Sequence, residues 1–171
     1  HNKLYPVYER LGKLMEKIIV NGGTPLFGEV EISGSKNAAL PIIYACVLVK
    51  GKCILENIPD LSDIMYSFEI LRGIGARIRM LSRSTYEIDC TDVQSGESDY
   101  NLVRKLRGSY YLLGAEFGRF GCAKVGYPGG CNFGVRPIDQ HIKGFEALGG
   151  EVSTDGGYIR IESENGPHGA N

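Results

Sequence analysis

Cys131 lies in the run Pro128-Gly129-Gly130-Cys131-Asn132-Phe133-Gly134. The glycines on both sides leave room for a ligand to approach the thiol closely. Arg136 follows five residues on, and Pro137 suits the first position of a helix, whose positive N-terminus would begin there. A cation and a helix dipole together favour the thiolate, or ready the thiol for proton transfer. The alternative is a buried, inert thiol, the usual fate of a free cysteine. Cys46, Cys53, Cys90 and Cys122 stand in apolar or strand-like contexts and read as structural. The five cysteines are an odd count, with no C-x-x-C pair and no partner at zinc-ligand spacing. That argues for a reduced compartment and against a metal centre.

Lys36 follows Ser33-Gly34-Ser35 at a strand-to-helix turn. Turn amides, a helix N-terminus and a lysine together make a phosphate site. The glycine spacing and the Lys36-Asn37 ending are not those of a P-loop, and a lysine at a turn is more often simply solvated. Arg107 precedes Gly108-Ser109-Tyr110-Tyr111. A guanidinium there can clamp a phosphate or carboxylate with two parallel hydrogen bonds, or it can be a surface arginine with a buried stem. His141, one turn into the last helix, reads as a packed or surface histidine before it reads as a base.

The basic residues are concentrated. Residues 104–143 hold Arg104, Lys105, Arg107, Arg119, Lys124, Arg136 and Lys143 against Glu116 and Asp139, a local excess of about +5 in a chain of net charge −1. This suits an anionic ligand, with a solvated face as the alternative. No aromatic-basic motif, zinc finger or basic heptad supports a nucleic-acid partner. The chain has 171 residues, 43% hydrophobic and 23% charged. Those values exclude a disordered or collagen-like chain, and no apolar run is long enough to span a membrane. Glycine is the outlier, at 24 residues.

The elements that must position these groups follow from periodicity. Lys17–Val20 and Glu29–Ile32 read as strands, 37–48 as an apolar helix, 52–55 as a strand, and 63–73 as a helix capped by Ser62 or Asp60. A hairpin follows at 76–80 and 85–88. The order then restarts: helix 102–117, strand 122–126, a glycine-rich loop, helix 137–148, and strands near 150–154 and 158–162. Gly34-Ser35 matches Gly108-Ser109, and Gly75 matches Gly149, both at an offset of 74. The chain therefore reads as an internal repeat. The second copy has a longer connection after Gly121, and the extra residues fall on the Cys131 loop.

Taken together, Ser33-Gly34-Ser35-Lys36-Asn37-Ala38-Ala39, the Cys131 run and Gly134-Val135-Arg136-Pro137-Ile138-Asp139 resemble the UDP-N-acetylglucosamine enolpyruvyl transferases, from about Met15 to about Glu164. The enolpyruvyl transferases of the shikimate pathway share the fold but not the cysteine loop. The resemblance implies an α/β fold, an inside-out α/β barrel of repeated βαβαββ units, here about two. Residues 15–90 would be the first unit with its leading strand, and 91–163 the second. Residues 1–14 fall outside the match as an extension, and 164–171 form a tail where the chain is cut short.

The resemblance also implies an activity, the transfer of enolpyruvate from phosphoenolpyruvate to UDP-N-acetylglucosamine in the bacterial cytoplasm. No cofactor, metal, nucleic acid or membrane would be involved. Cys131 would be the general acid and the thiol that fosfomycin alkylates. Lys36, Asn37 and Arg136 would contact phosphoenolpyruvate. Arg107, Arg136, Pro137, Ile138, Asp139 and Gln140 would hold the nucleotide sugar, although the family often carries Leu where Gln140 stands. Family enzymes are more than twice this length. The chain is therefore expected to be an N-terminal part lacking the C-terminal half, and inactive alone.

Overall fold

The computed structural model describes residues 19–96, 98–127 and 137–170. Residues 19–31 form a unit of their own, without regular secondary structure. Their apolar side chains, such as Phe27 and Val30, are exposed. The strand expected at Glu29–Ile32 is therefore not formed. Alternation marks a strand's faces, but a strand exists only as a ladder. Among the described residues no strand pairs with this segment.

From Ile32 onward the elements run α1 (Lys36–Ala45), a 3-10 turn (Cys46–Leu48), β1 (Lys52–Leu55), α2 (Ser62–Gly73), β2 (Arg77–Ser82) and β3 (Thr85–Asp89). They continue with α3 (Tyr100–Lys105), a second 3-10 turn (Arg107–Tyr110), α4 (Tyr111–Phe120), β4 (Cys122–Gly126), α5 (Asp139–Ala147), β5 (Glu151–Asp155) and β6 (Tyr158–Glu162). The order helix-strand-helix-strand-strand thus occurs twice. Each copy makes a three-stranded antiparallel sheet with its last strand in the centre, β1-β3-β2 and β4-β6-β5.

The registers correspond as well. Ile88 sits between Cys53 and Ile78 in the first sheet, and Ile161 sits between Ala123 and Val152 in the second. Both isoleucines are fully buried. On the opposite face Glu87 meets Lys52 and Arg79, each at 3.5 Å. Period two therefore places one face of the sheet in the core and a charged ladder on the other.

Gly75 and Gly149 end α2 and α5 in the same way. Both take left-handed backbone, φ 104° and 88°. In each case the next residue's N–H bonds back to the helix, Ala76 to the Leu71 carbonyl and Gly150 to the Phe145 carbonyl. Only glycine adopts that conformation without strain, which is why the repeat is legible at these two positions.

The copies share one core. Ile43, Tyr44 and Val47 from the first pack with Leu112, Leu113 and Phe117 of α4 from the second. Arg119 on α4 reaches into the first copy, where one guanidinium nitrogen donates to the carbonyls of Val47 at 2.8 Å and Cys90 at 2.9 Å. Glu116, one helical turn from Arg119's neighbour Phe120, is wholly buried, and neither carboxylate oxygen has a hydrogen-bond partner.

Besides shifts of one to three residues at several element ends, three features differ from the sequence reading. The helix expected over 102–117 is broken at Leu106, which takes extended backbone (φ −126°, ψ 108°) and is buried in the core. Neither Ser62 nor Asp60 caps α2. Leu61 holds the capping position, and Ser62 is already helical. Pro137 precedes the non-helical Ile138 and so lies outside α5, not in its first turn.

Candidate functional site

The turn at the head of α1 is built from two sides. Ser35 takes extended backbone (φ −76°, ψ 128°), and its carbonyl accepts the Ala38 and Ala39 N–H groups. Lys36 and Asn37 therefore occupy the first helical turn, where backbone N–H groups lack intrahelical acceptors and the helix end is positive. Both side chains are exposed. The Lys36 ammonium donates to Asp63 Oδ2, in the first turn of α2, at 2.8 Å. Asn57, in the connection between β1 and α2, accepts the Gly34 N–H on Oδ1 at 3.1 Å. An open cleft of about 740 Å³ borders the turn, lined by Gly34, Ser35, Ala38, Asn57 and Ile58 among others.

Arg107 opens the 3-10 turn between α3 and α4. The adjoining Gly108 lies against α1: a Cβ there would be 3.1 Å from Leu40 Cδ1. Tyr110, at the other end of the turn, meets the His141 ring edge-on at 4.9 Å. His141 belongs to the first turns of α5, so the Arg107–Tyr110 turn touches both α1 and α5. Ile138 is buried at the N-cap of α5, and its carbonyl accepts the Ile142 N–H. Pro137, Asp139 and Gln140 are exposed beside it, and Gln140 Nε2 donates to Asp139 Oδ2 at 3.2 Å.

These contacts run from Leu40 of α1 through Gly108 and Tyr110 of the 3-10 turn to His141 of α5. Lys36 and Asn37 lie on α1, Arg107 in the 3-10 turn, Asp139 and Gln140 in the first turn of α5, and Pro137 and Ile138 just before it. His141 packs on an aromatic ring, the blander of its two readings. Cys131 and Arg136 lie outside the described residues. The described chain runs from β4 to Tyr127, whose N–H bonds to the Gly157 carbonyl at 2.7 Å, and resumes at Pro137.

Of the other thiols, burial pushes Cys46 up to about 12 and Cys90 up to about 11, with Cys53 close by raising both further. These are poor nucleophiles at neutral pH. Among the described residues no group of three or more His, Cys, Asp or Glu could hold a metal ion, and no helix is long and apolar enough to cross a membrane.

Sequence reasoning missed Asn57 and Asp63. Their contacts with the turn span 23 and 27 residues. The available signal was modest: an asparagine before Ile58-Pro59 and an acid at a helix start.

The doubled helix-strand-helix-strand-strand unit around shared helices is the enolpyruvyl transferase fold. The enolpyruvyl transferase NikO from Streptomyces tendae matches with a TM-score of 0.69 at 25% identity, covering 84% of this chain and 31% of that one. The chain belongs to the EPSP synthase (3-phosphoshikimate 1-carboxyvinyltransferase) family, whose model it matches over residues 20–169. It is 48% identical over 151 residues to a UDP-N-acetylglucosamine 1-carboxyvinyltransferase of Clostridium botulinum, covering 88% of this chain and 36% of that protein. It is 44% identical over 156 residues to the enzyme of the same name from Saccharophagus degradans, covering 91% and 37%. The chain thus spans about a third of the length of these relatives.

Proposed function

We propose that this chain forms the phosphoenolpyruvate and nucleotide side of an enolpyruvyl transferase acting on UDP-N-acetylglucosamine. In that reaction the sugar 3-hydroxyl oxygen bonds to C2 of phosphoenolpyruvate while the methylene carbon takes a proton. The bond from C2 to the phosphate oxygen then breaks, phosphate leaves, and loss of a proton from the new methyl group restores the enol ether. Cys131 gives the proton to the methylene. Lys36 and Asn37, with Arg136, hold phosphoenolpyruvate and offset the charge of the departing phosphate. Arg107, Arg136, Pro137, Ile138, Asp139 and Gln140 hold the uridine nucleotide.

The relatives are about two and a half times as long, and the base for the sugar hydroxyl belongs to their remaining length. The 171 residues by themselves are expected to bind without turnover. The product is a precursor of bacterial peptidoglycan, made in the cytoplasm.

The observation that carries this reading is the placement of Lys36 and Asn37 in the first turn of α1, beside an open cleft, on the helix whose Leu40 meets Gly108 of the Arg107 turn. A lysine ammonium and free helix amides are what a phosphomonoester needs. Replacing Lys36 by Met is expected to weaken phosphoenolpyruvate binding about tenfold, the order of one charge-assisted hydrogen bond. Calorimetric titration of both proteins checks this. Unchanged affinity would remove the lysine from the site.

A further inference from the structure

Resting on that reading of the turn, we infer that Asn57 is a positioning residue that fixes the Gly34 backbone for anion binding. Among the described residues Asn57 is the one non-glycine residue with positive φ, at 55°. Left-handed backbone costs an ordinary residue energy, and asparagine bears it best. The surrounding contacts show what the conformation achieves. With it, the side-chain Oδ1 of Asn57 accepts the Gly34 N–H at 3.1 Å. Its own carbonyl fills the place where a Gly34 side chain would stand, only 1.9 Å from an ideal Cβ. Pro59 Cδ closes the same space at 3.3 Å. Gly34 and Asn57 therefore fit each other and little else.

The segment behind Asn57 is itself anchored. Ile58 is buried, and its N–H bonds to the Ser84 carbonyl at 2.9 Å. The next helix supplies Asp63, which holds the Lys36 ammonium at 2.8 Å. One stretch of chain thus grips the turn twice, by its backbone at Gly34 and by its cation at Lys36. The Asn57 bond engages the Gly34 N–H internally. That leaves the first-turn amides of Lys36 and Asn37 as the donors for an incoming anion, set at a fixed angle by the turn. A site that handles a departing phosphate gains from such preorganisation, because its donors need not move as charge develops.

The test uses the whole chain in three forms: wild type, Asn57→Gly and Asn57→Asp. Glycine keeps the left-handed backbone without strain but removes the acceptor. Aspartate keeps an acceptor at the same distance. Amide hydrogen exchange read by NMR is expected to show the Gly34 N–H exchanging about tenfold faster in Asn57→Gly and near the wild-type rate in Asn57→Asp. Titration with phosphoenolpyruvate is expected to give about fivefold to tenfold weaker binding in Asn57→Gly at an unchanged melting temperature. Gly34 exchange and ligand affinity both equal to wild type in Asn57→Gly would overturn the inference. So would equal losses of protection in both variants, because the acceptor would then be irrelevant. Failure of the wild-type chain to bind phosphoenolpyruvate would instead overturn the proposed function, and with it the anion-binding purpose assigned to Asn57.

Discussion

At pH 8, Glu116→Gln is expected to unfold at a higher denaturant concentration than the wild-type chain, by a few kcal/mol, and to lose a pH dependence that the wild type shows. Glu116 sits in the middle of α4, fully buried, with both carboxylate oxygens unpartnered. Burial pushes its carboxyl up from the ordinary value of 4.5 to about 8, a shift only softened by the nearby Lys124 backbone. The folded chain therefore keeps a proton that the unfolded chain has already released. The stabilisation is complete below pH 4.5 and is lost as pH rises toward 8, at up to about 1.4 kcal/mol per pH unit. Glutamine carries no titrating proton, so its stability should stay flat across that window. Denaturant melts from pH 5 to 9 check this. Parallel curves for the two proteins would show that Glu116 is charged, and therefore solvated, in the folded chain.

Arg119→Ala is expected to cost about 2–4 kcal/mol. A hydrogen bond to a charged group contributes about 1.5–3 kcal/mol, and this guanidinium makes two, to the Val47 and Cys90 carbonyls. Both carbonyls belong to the first copy of the repeat, whereas Arg119 belongs to the second. The stem also lays the guanidinium over the Phe120 ring at 4.9 Å. Truncation therefore loosens the joint between copies and takes the guanidinium from both carbonyls, of which Cys90 keeps only a long bond from the Val93 N–H, at 3.4 Å. Lysine, with one compact ammonium in place of a planar fork, should recover only part of the loss. Urea titration measures both variants. A change below about 0.5 kcal/mol for Arg119→Ala would mean water replaces the guanidinium at no cost.

What could be read from the sequence follows from range. The strands at Lys52–Leu55 and Cys122–Gly126 and the hairpin ending in β3 carry their signals locally, in alternation and turn residues. Gly75 and Gly149 announced the repeat because each must adopt positive φ at a helix end. The break at Leu106 was not legible, because it depends on burying Leu106 and on Gly108 meeting Leu40 from another copy. Asn57 and Asp63 were missed for the same reason: their partners are distant in sequence.

By composition Glu116 is one of two acids in the basic 104–143 stretch. Burial makes it neutral at pH 7, so that stretch carries about one more positive charge than its composition suggests. Lys36 and Asn37 were readable as a phosphate turn from type and spacing alone. Their assignment to one substrate came from the resemblance.

The central claim is that the Cys131 loop and the α1 turn serve one substrate site. Treatment with fosfomycin in the presence of UDP-N-acetylglucosamine, followed by peptide mapping in a mass spectrometer, tests it most directly. Cys46 and Cys90, held near 12 and 11 by burial, present only about one thiolate in a thousand or fewer at pH 7.5 and should stay unmodified. Cys53 and Cys122 are half-buried and should react slowly if at all. The account expects a single adduct on Cys131, formed faster when the nucleotide sugar is present. An adduct forming first on another cysteine, or none forming even with the nucleotide sugar, would contradict it.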